Sequence, residues 1–546
     1  MPTARPEATF DYVIVGGGAA GCVLATRLTE NTDVTVCILE AGPRDSNPMI
    51  RIPAGVIKLL FNPKVAWQFK TEGSAGTNGR PVFAPQGKTL GGSSSINGMI
   101  YNRGLPSDFN GWAQAGNNGW GYDDVLPYFK KSERRIGKGD DHVRGRGGPI
   151  PITDNEWVTP LTEAFVSGVA ATGLPRNVDY NDGSQAGVGY MQRAIEHGRR
   201  VSAARGYLGQ ARGRKNLQVI CNAYAERILF EGKKAVGVAY RRSAGDRPQI
   251  VHARKEVILS SGSLNTPKLM QLSGVGPADV LQRLGVAPVH ILPGVGRNLS
   301  DHFGVRTVVE IKGAATANEL SRGPRLGWEV AKWLMRRPSI LGLSSSLAYI
   351  FWRSEEGLDA SEPDLQFVFT PISFKAGLFG VLDDFPGISL GVWPHRPHSR
   401  GYVEARSTNV FDDPIIQPNY LAESYDQRTI VAGIRMARKY LATPEFSKYV
   451  VRESVPGPDR QSDDELLDFA RQTGSTIYHF CGTSRMGPAT DANAVVDDRL
   501  RVHGLEGLRI VDASIMPNVP SGNTYAPTLM LSEKAADLIR DDMRRS

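Results

Sequence analysis

One short stretch near the start of the chain constrains the fold more than any other. A β-branched run leads into the motif Gly16-x-Gly18-x-x-Gly21, and a segment with helical spacing follows it. A second apolar run then ends at Glu40, 19 residues after Gly21. The order strand, tight turn, helix and strand is typical of a βαβ unit, and such units build parallel sheets.

The glycine spacing in this unit is typical of dinucleotide binding. Gly16 permits the tight turn, Gly18 lets the backbone approach a pyrophosphate, and Gly21 lets helix and strand pack closely. The helix N-terminus supplies free N–H groups for an anion. Glu40 stands where a carboxylate accepts hydrogen bonds from the hydroxyls of an adenosine ribose. The motif by itself does not separate NAD from FAD.

Composition and charge exclude several classes of protein. Of the 546 residues, 41% are hydrophobic and 22% charged, which indicates a globular chain rather than a disordered one. The net charge is +8, but the basic residues are scattered without a long run, so we expect no nucleic-acid partner. The four cysteines form no C-x-x-C motif, so we expect neither a zinc module nor a disulfide framework, and no metal.

The sequence also bears on location. The first residues lack the apolar stretch of a secretory signal. The longest uncharged run, 513–532, contains three prolines and is not a membrane span. We therefore expect a cytoplasmic protein. The segment Gly327 to Arg337 mixes tryptophan and leucine with lysine and arginine, and this amphipathic pattern predicts, as an alternative, peripheral contact with the inner membrane.

The first half of the chain contains two further glycine-rich segments. Residues 87–98 place three serines after two glycines, and such a loop can lay backbone N–H groups against phosphates or a flat ring. Residues 262–276 carry a proline near the start of a helix predicted from about Thr266, and a glycine at its end. Between them, 217–220 and 235–240 are predicted to be strands of a small sheet.

Together these segments resemble the glucose–methanol–choline (GMC) oxidoreductase family. Further matching stretches are 293–302, 512–517 and 522–528, and the resemblance runs from about Phe10 to Ile539. The chain looks most like bacterial alkanol and choline dehydrogenases. The resemblance implies FAD as the cofactor, and a fold of mixed class, α/β plus α+β: a discontinuous Rossmann-like FAD-binding domain and a substrate domain built on an antiparallel sheet flanked by helices.

The resemblance also implies how the chain divides between the two domains. Residues 8–155, 200–305 and 490–546 are expected to form the FAD-binding domain, and residues 156–199 and 306–489 the substrate-binding domain.

The catalytic pair is implied by the same family match. Relatives carry a histidine after an aromatic residue in a Tyr-His-x-x-Gly-Thr-x-Arg-Met-Gly run, which here places His479 after Tyr478, and its partner in the Gly-Asn-Thr segment is Asn523. Oxidation of an alcohol removes a proton from oxygen and a hydride from carbon. A neutral imidazole is a suitable base near neutral pH, and an amide N–H can stabilise the developing negative oxygen.

The resemblance also implies the cofactor contacts. They are Gly16, Gly18, Ala19, Ala20, Gly21, Glu40, Ala41, Gly87, Leu90, Gly92, Ser93, Asn97, Gly98, Met99, Ala225, Tyr478, Asp512, Ala513, Asn523 and Thr524. Some relatives attach FAD through a histidine at the position of Ile96; isoleucine has no nucleophile, so we expect non-covalent FAD. Two departures from the family pattern are Gln86, where many relatives have arginine, and Phe480, where many have proline.

The sequence favours one reaction and leaves others open. Bulky apolar residues are frequent in 320–385, among them Phe374, Leu378 and Phe379, which favours an apolar or aromatic alcohol over a sugar, with core packing as the alternative explanation. The favoured function is a dehydrogenase that passes electrons to a quinone or another acceptor. An oxidase that produces hydrogen peroxide is the first alternative, and a lyase or light-driven flavoenzyme of the same fold is the second.

Overall fold

Two large sheets organise the computed structural model, which describes residues 8–375 and 380–545. In chain order the strands are β1 (Ala8–Val15), β2 (Val36–Glu40), β3 (Ala66–Trp67), β4 (Gln86–Gly87), β5 (Glu133–Arg135), β6 (Ile150–Ile152), β7 (Gly187–Tyr190), β8 (Ile195–Glu196), β9 (Arg199–Arg200), β10 (Leu217–Cys221), β11 (Tyr224–Glu231), β12 (Lys234–Arg241), β13 (Gln249–Leu259), β14 (Val275–Gly276), β15 (His290–Ile291), β16 (Phe303–Ile311), β17 (Ala348–Trp352), β18 (Leu365–Thr370), β19 (Gly387–Pro394), β20 (Tyr402–Glu404), β21 (Ile415–Gln417), β22 (Val450–Val455), β23 (Ser475–Thr476) and β24 (Leu508–Ile510). The helices are α1 (Ala19–Leu28), α2 (Val56–Leu59), α3 (Pro106–Gln114), α4 (Tyr122–Ser132), α5 (Pro160–Ala171), α6 (Gly262–Leu272), α7 (Ala278–Leu284), α8 (Ala317–Leu320), α9 (Gly323–Leu334), α10 (Ser424–Leu441), α11 (Pro444–Ser447), α12 (Asp463–Thr473) and α13 (Tyr525–Arg545).

The first sheet is parallel at its centre. Its order is β10-β2-β1-β13, and β24 pairs with the end of β13. Ile14 of β1 lies between Ile38 and Ile258, and β1 is buried from Asp11 onward because helices cover the sheet, among them α1, on which α13 packs. β12 and β11 extend the sheet in the antiparallel sense.

Two sequence predictions need correction here. The prediction that 217–220 and 235–240 are strands of a small sheet is wrong, because both lie in the large first sheet. Residues 217–220 form β10 at its edge, where Val219 pairs with Ile38, and 235–240 lie in β12, which pairs with β13. The helix predicted from about Thr266 begins at Gly262, and Pro267 lies inside its first turns. Pro267 is the sixth residue of α6 and lacks the N–H that would donate to Ser263 O, but the Thr483 hydroxyl donates to that oxygen at 2.7 Å instead.

The second sheet is antiparallel, with the order β22-β16-β19-β18-β17-β7 and β23 paired to the start of β16. Val305 of β16 pairs with Val392 of β19. Helices α5, α10 and α12 pack on this sheet around a core of buried leucine, isoleucine and phenylalanine. A parallel, helix-covered sheet joined to an antiparallel one confirms the predicted fold class. The predicted domain boundary at residue 305 falls inside β16, and the division itself stays a prediction.

A buried ionic network ties β5 to two neighbouring segments. Glu133 pairs with Arg103 at 3.0 Å and with Arg144 at 2.7 Å, and Arg144 also pairs with Asp179 at 2.6 Å. Burial alone would raise the pKa of Glu133, but the two guanidinium groups hold it below its usual value. Removing one member would leave an uncompensated buried charge, so the network fixes these segments together.

The described residues lack two features that would bear on function, a membrane-spanning helix and a cluster of metal ligands. Within residues 8–375 and 380–545, no helix has both the length and the apolar character needed to cross a bilayer. The same described residues contain no group of three or more histidine, cysteine, aspartate or glutamate side chains arranged to hold a metal ion.

Candidate active site

The glycine motif forms the turn between β1 and α1. Gly16 has φ of +104°, and a Cβ there would lie 2.4 Å from the carbonyl oxygen of Ser260 on the adjacent segment, so only glycine fits. Gly18 is the residue that precedes α1, and a Cβ on it would meet only Ser260 O, at 3.7 Å. Bare backbone and the N-terminus of α1 therefore face the same space, as anion binding requires.

Glu40 supports this turn from the end of β2. Its two carboxylate oxygens accept hydrogen bonds from the N–H groups of Gly17 and Gly42, each at 2.8 Å. Burial raises the pKa of Glu40 to about 7, against the lowering effect of these two donors. Each oxygen keeps a further lone pair, so the carboxylate can also accept from a ligand hydroxyl.

The second glycine loop packs directly on the first. Gly91 N–H donates to Gly17 O at 2.7 Å, and a Cβ on Gly92, whose φ is +52°, would lie 2.8 Å from the Cα of Gly18. Gln86, the first departure from the family pattern, accepts from the Ser93 hydroxyl at 3.1 Å and so orients that serine. The tertiary fold thus joins two motifs that lie some seventy residues apart in the chain.

Buried Arg200 braces the far side of this loop. Its guanidinium donates to Asn97 O at 2.6 Å, to Asn97 Oδ1 at 2.8 Å and to Ser94 O at 3.3 Å. Burial lowers the pKa of Arg200 to about 9. Arg200 was not predicted from the sequence, because nothing in residues 87–98 indicates which distant side chain contacts them.

These loops line one cavity of about 900 Å³. Its lining contains eighteen of the predicted cofactor residues: Gly16, Gly18, Ala19, Ala20, Glu40, Ala41, Gly87, Gly92, Ser93, Asn97, Gly98, Met99, Ala225, Tyr478, Asp512, Ala513, Asn523 and Thr524. Gly21 and Leu90 lie behind the wall. A Cβ on Gly21 would fall 2.0 Å from Gly16 O, and Leu90 packs beside Gly17. Their place in the structure is that of packing residues under the turn.

The carboxylate of Asp512 is largely committed to the protein itself. It accepts from the N–H of Gly262 and the hydroxyl of Thr266 through Oδ2, at 2.9 and 2.7 Å, and from Ser514 N–H through Oδ1, at 2.8 Å. Asp512 therefore fixes the start of α6 at the cavity wall. Burial raises the pKa of this carboxyl despite its donors.

His479 and Asn523 meet at another part of the same cavity. Asn523 Nδ2 lies 3.0 Å from His479 Nε2, although the two residues are 44 apart in sequence. The backbone at Tyr478 has φ of +67°, and His479 N–H donates to Asp301 Oδ1 at 2.7 Å. Asp301 Oδ2 accepts from the hydroxyls of Tyr420 and Thr476, each at 2.5 Å. Burial raises the pKa of Asp301 to about 7.

A chain of hydrogen bonds fixes which nitrogen of His479 carries the proton. His302 Nε2 lies 2.7 Å from the carbonyl oxygen of His395, which can only accept, so His302 donates through Nε2. A neutral His302 then accepts at Nδ1, which is 2.8 Å from His479 Nδ1. His479 therefore carries its proton on Nδ1, and its Nε2 lone pair faces Asn523.

Burial keeps these imidazoles neutral. It lowers the pKa of His302 to about 4, and it lowers the pKa of His479 well below the usual histidine value, with further repulsion from His302 and His395. A neutral imidazole whose unprotonated nitrogen lies at the cavity can accept a proton. The sequence analysis noted the motif context of His302 but assigned it no role.

Side chains beyond the predicted set complete the cavity wall. The two aromatic residues close in sequence to His479 and Asn523, namely Phe480 and Tyr525, both line the cavity. Arg306 of β16 also lines it, and burial lowers the pKa of Arg306. The apolar residues of 320–385 lie in two different places. Phe374 lines the cavity, whereas Phe367 and Phe369 belong to the core of the antiparallel sheet. Leu378 and Phe379 lie outside the described residues.

The chain is similar to many known proteins along its whole length. Two family models, both described as GMC oxidoreductase, match residues 10–304 and 397–532. An alcohol dehydrogenase [acceptor] of Pseudomonas putida is 41% identical over 531 residues, with 97% of this chain and 95% of the relative covered. An oxygen-dependent choline dehydrogenase of Cronobacter sakazakii is 42% identical over 540 residues, with 97% and 95% covered.

Solved structures are also similar to this chain over nearly its whole length. The crystal structure of pyridoxine 4-oxidase from Mesorbium loti matches with a TM-score of 0.87 at 34% identity, covering 97% of this chain and 99% of that one. A structure of formate oxidase matches with a TM-score of 0.92 at 28% identity, covering 99% and 100%.

Proposed function

The chain belongs to the GMC oxidoreductase family, and on that basis we propose that it is an FAD-dependent enzyme that oxidises an alcohol to an aldehyde or ketone. The observation that carries the proposal is the shared cavity. Glycine loops suited to a dinucleotide line it together with the His479–Asn523 pair. A cofactor site and a base that open on one space are what alcohol oxidation requires.

The residues present fit FAD. We propose that the α1 N-terminus and Gly18 hold its pyrophosphate, that Glu40 holds its ribose, and that the 87–99 loop, Ala225 and the 512–524 segment hold the rest. Ile96 lines the cavity without a nucleophilic atom, which supports non-covalent binding. When bound, FAD supplies the acceptor for the hydride that leaves the alcohol carbon.

The chain's own residues handle the proton. His479 Nε2 is unprotonated because its Nδ1–H is engaged by His302, so Nε2 accepts the hydroxyl proton of the alcohol. Without substrate, one amide N–H of Asn523 occupies the Nε2 lone pair, so the alcohol hydroxyl displaces it when it donates to Nε2. The amide N–H groups of Asn523 can then donate to the alcohol oxygen as negative charge develops. We propose His479 as the base and Asn523 as the group that stabilises the oxygen.

The lining supports an apolar or aromatic alcohol, primary or secondary. Phe374, Trp393, Phe480 and Tyr525 contribute apolar surface to the cavity. We propose a quinone or another non-oxygen acceptor for the electrons, since one relative is described as an alcohol dehydrogenase [acceptor]. Direct use of oxygen is the second candidate, because other relatives are described as oxygen-dependent.

We also propose that the enzyme works in the cytoplasm, in peripheral contact with the inner membrane. Four free thiols, Cys22, Cys37, Cys221 and Cys481, support a reducing compartment, and an exposed apolar helix supports the membrane contact.

The visible spectrum of the purified protein, recorded without oxygen, tests the reaction. We expect a flavin band that an apolar or aromatic alcohol bleaches, and release of the flavin on denaturation. Slow recovery of the band in air, with little hydrogen peroxide, supports the dehydrogenase; rapid recovery with peroxide supports the oxidase. A flavin band that no alcohol in a broad panel bleaches would contradict alcohol oxidation and favour a lyase or light-driven reaction.

A further inference from the structure

Helix α9 (Gly323–Leu334) exposes apolar side chains to solvent, which is unusual for a helix at a protein surface. Glu329 is its one buried side chain, at 2% exposed; its carboxylate accepts from Ile340 N–H at 3.0 Å and pairs with Lys332 at 2.5 Å. The protein-facing side of α9 thus carries Glu329 and the half-buried Lys332 together with Trp333, whereas Arg325 is 63% exposed. Surface helices normally bury the apolar side and expose the charged one.

The opposite side of α9 is apolar and exposed. Leu326, Val330 and Leu334, at spacings of four residues, form one row, and they are 38%, 36% and 63% exposed. Trp328 and Met335, seven residues apart, widen the face, at 59% and 51% exposed. We call these five residues the α9 apolar face. Soluble monomers rarely expose such a contiguous apolar surface unless it binds something.

Three arginines lie near the C-terminal end of α9. Arg336 and Arg337 follow the helix directly, and Arg199 lies over the ring of Trp333, 5.4 Å from its centroid. None of these three arginines pairs with a carboxylate in the described part of the chain. An apolar helix face with unpaired cations at its edge is the pattern that binds the headgroup region of an anionic bilayer.

The helix is held firmly in this orientation. Trp333 Nε1 donates to Gly198 O at 2.7 Å, and the Ser339 hydroxyl donates to Glu329 O at 2.8 Å. Both contacts lie on the protein side of α9 and leave the apolar face outward. The exposed leucines and Trp328 are thus part of a fixed surface.

The chain segments on either side of α9 line the cavity, although the α9 apolar face itself does not. Ala317 and Ser321, just before the helix, and Ile340 and Leu343, just after it, all line the cavity that holds His479. α9 thus connects two parts of the cavity wall. A surface bound to α9 would therefore lie near these two segments of the cavity wall.

We propose that α9 docks the enzyme on an anionic lipid bilayer and places the adjoining cavity wall against the bilayer interface. Apolar alcohols and quinones both concentrate in bilayers, so the docked enzyme would draw substrate and acceptor from the lipid. This last step rests on the proposed alcohol oxidation, whereas the docking, which specifies the proposed membrane contact, does not. A symmetric pair of protein copies through this face is less favourable, because it would bring two clusters of like-charged arginines together.

Vesicle binding by the FAD-loaded enzyme tests the docking. The probes are vesicles of phosphatidylcholine alone and of phosphatidylcholine mixed with phosphatidylglycerol, separated from free protein by flotation. We expect binding to the mixed vesicles only. Arg336→Gln/Arg337→Gln should lower the partition coefficient about 30-fold, from about fivefold for each surface arginine. Trp328→Ser/Leu334→Ser should lower it at least tenfold.

Matched controls separate the face from general effects of substitution. Val178→Ser/Val451→Ser changes two exposed apolar residues elsewhere, and it should bind vesicles like the unmodified enzyme. All variants should oxidise a water-soluble alcohol with a soluble dye as acceptor at the unmodified rate, because none of the changed residues lines the cavity within the described residues.

Three results would overturn the proposal. The first is failure of the unmodified enzyme to bind mixed vesicles, and the second is unchanged binding by both α9 variants. The third is a dimer in analytical ultracentrifugation that Trp328→Ser/Leu334→Ser dissolves, since a second copy would then cover the face. An enzyme that binds vesicles but whose flavin no alcohol reduces would instead refute the proposed function and leave the docking intact.

Discussion

Replacing His302 tests the assignment of the His479 proton. His302 is fully buried behind His479, and His302→Leu removes the acceptor that lies 2.8 Å from His479 Nδ1. A buried donor left without an acceptor costs about 1–3 kcal/mol. The alternative tautomer, with the proton on Nε2, escapes that cost by donating into the cavity but cannot act as a base. We therefore expect alcohol-dependent reduction to slow by about 5- to 150-fold.

The assay is the rate of flavin bleaching after anaerobic mixing with saturating alcohol, with flavin content and the midpoint of thermal unfolding measured on the same samples. His302→Asn is the matched variant, because an amide oxygen near the place of Nδ1 can accept from His479. It should recover most of the lost rate. Loss of FAD would indicate a merely structural role. An unchanged rate in His302→Leu, or a rate in His302→Asn as low as in His302→Leu, would refute the tautomer argument.

Three other predictions concern pH, the glycine loops and stability. Because burial lowers the pKa of His479 below its usual 6.5, the base stays neutral as pH falls through 6.5, so the rate of flavin reduction should hold below that pH; an acid limb centred at 6.5 or higher would contradict this. Gly92→Ala should weaken FAD binding measured by fluorescence titration, because its Cβ would lie 2.8 Å from Gly18 Cα, whereas Gly111→Ala, with open space, should bind FAD normally. Glu133→Gln should lower the free energy of unfolding in urea by about 3–5 kcal/mol, and a loss under 1 kcal/mol would show that the buried network is dispensable.

The local parts of the fold and site were predictable from sequence. The turn at Gly16 follows from short-range stereochemistry, and the structure places both Gly16 and Glu40 at the cavity, whereas the hydrogen bond from Gly17 N–H to the Glu40 carboxylate was not predicted. The pairing of His479 with Asn523 could be anticipated only through the family match, since 44 residues separate them. No spacing rule predicts a contact that depends on how α13 and β23 are brought together.

Long-range features were not predictable, for physical reasons. The position of β10 beside β2 depends on the crossover through the intervening chain, and nothing in residues 217–221 distinguishes an edge strand of a small sheet from one of the main sheet. The proton on His479 Nδ1 depends on the backbone carbonyl of His395, and a carbonyl has no sequence signal. The amphipathic pattern of α9 was visible, but which side faces the protein is a tertiary property.

The central claim is that His479 Nε2 takes the proton of the alcohol. The most direct measurement compares anaerobic flavin reduction in the unmodified enzyme, in His479→Ala and in His503→Gln, a histidine whose ring contacts Gly487 O far from the pair. A general base contributes about 10²- to 10⁴-fold, so His479→Ala should reduce its flavin at least 100-fold more slowly while retaining FAD, and His503→Gln should react normally. A His479→Ala enzyme that keeps its FAD and is reduced at the unmodified rate would contradict the account.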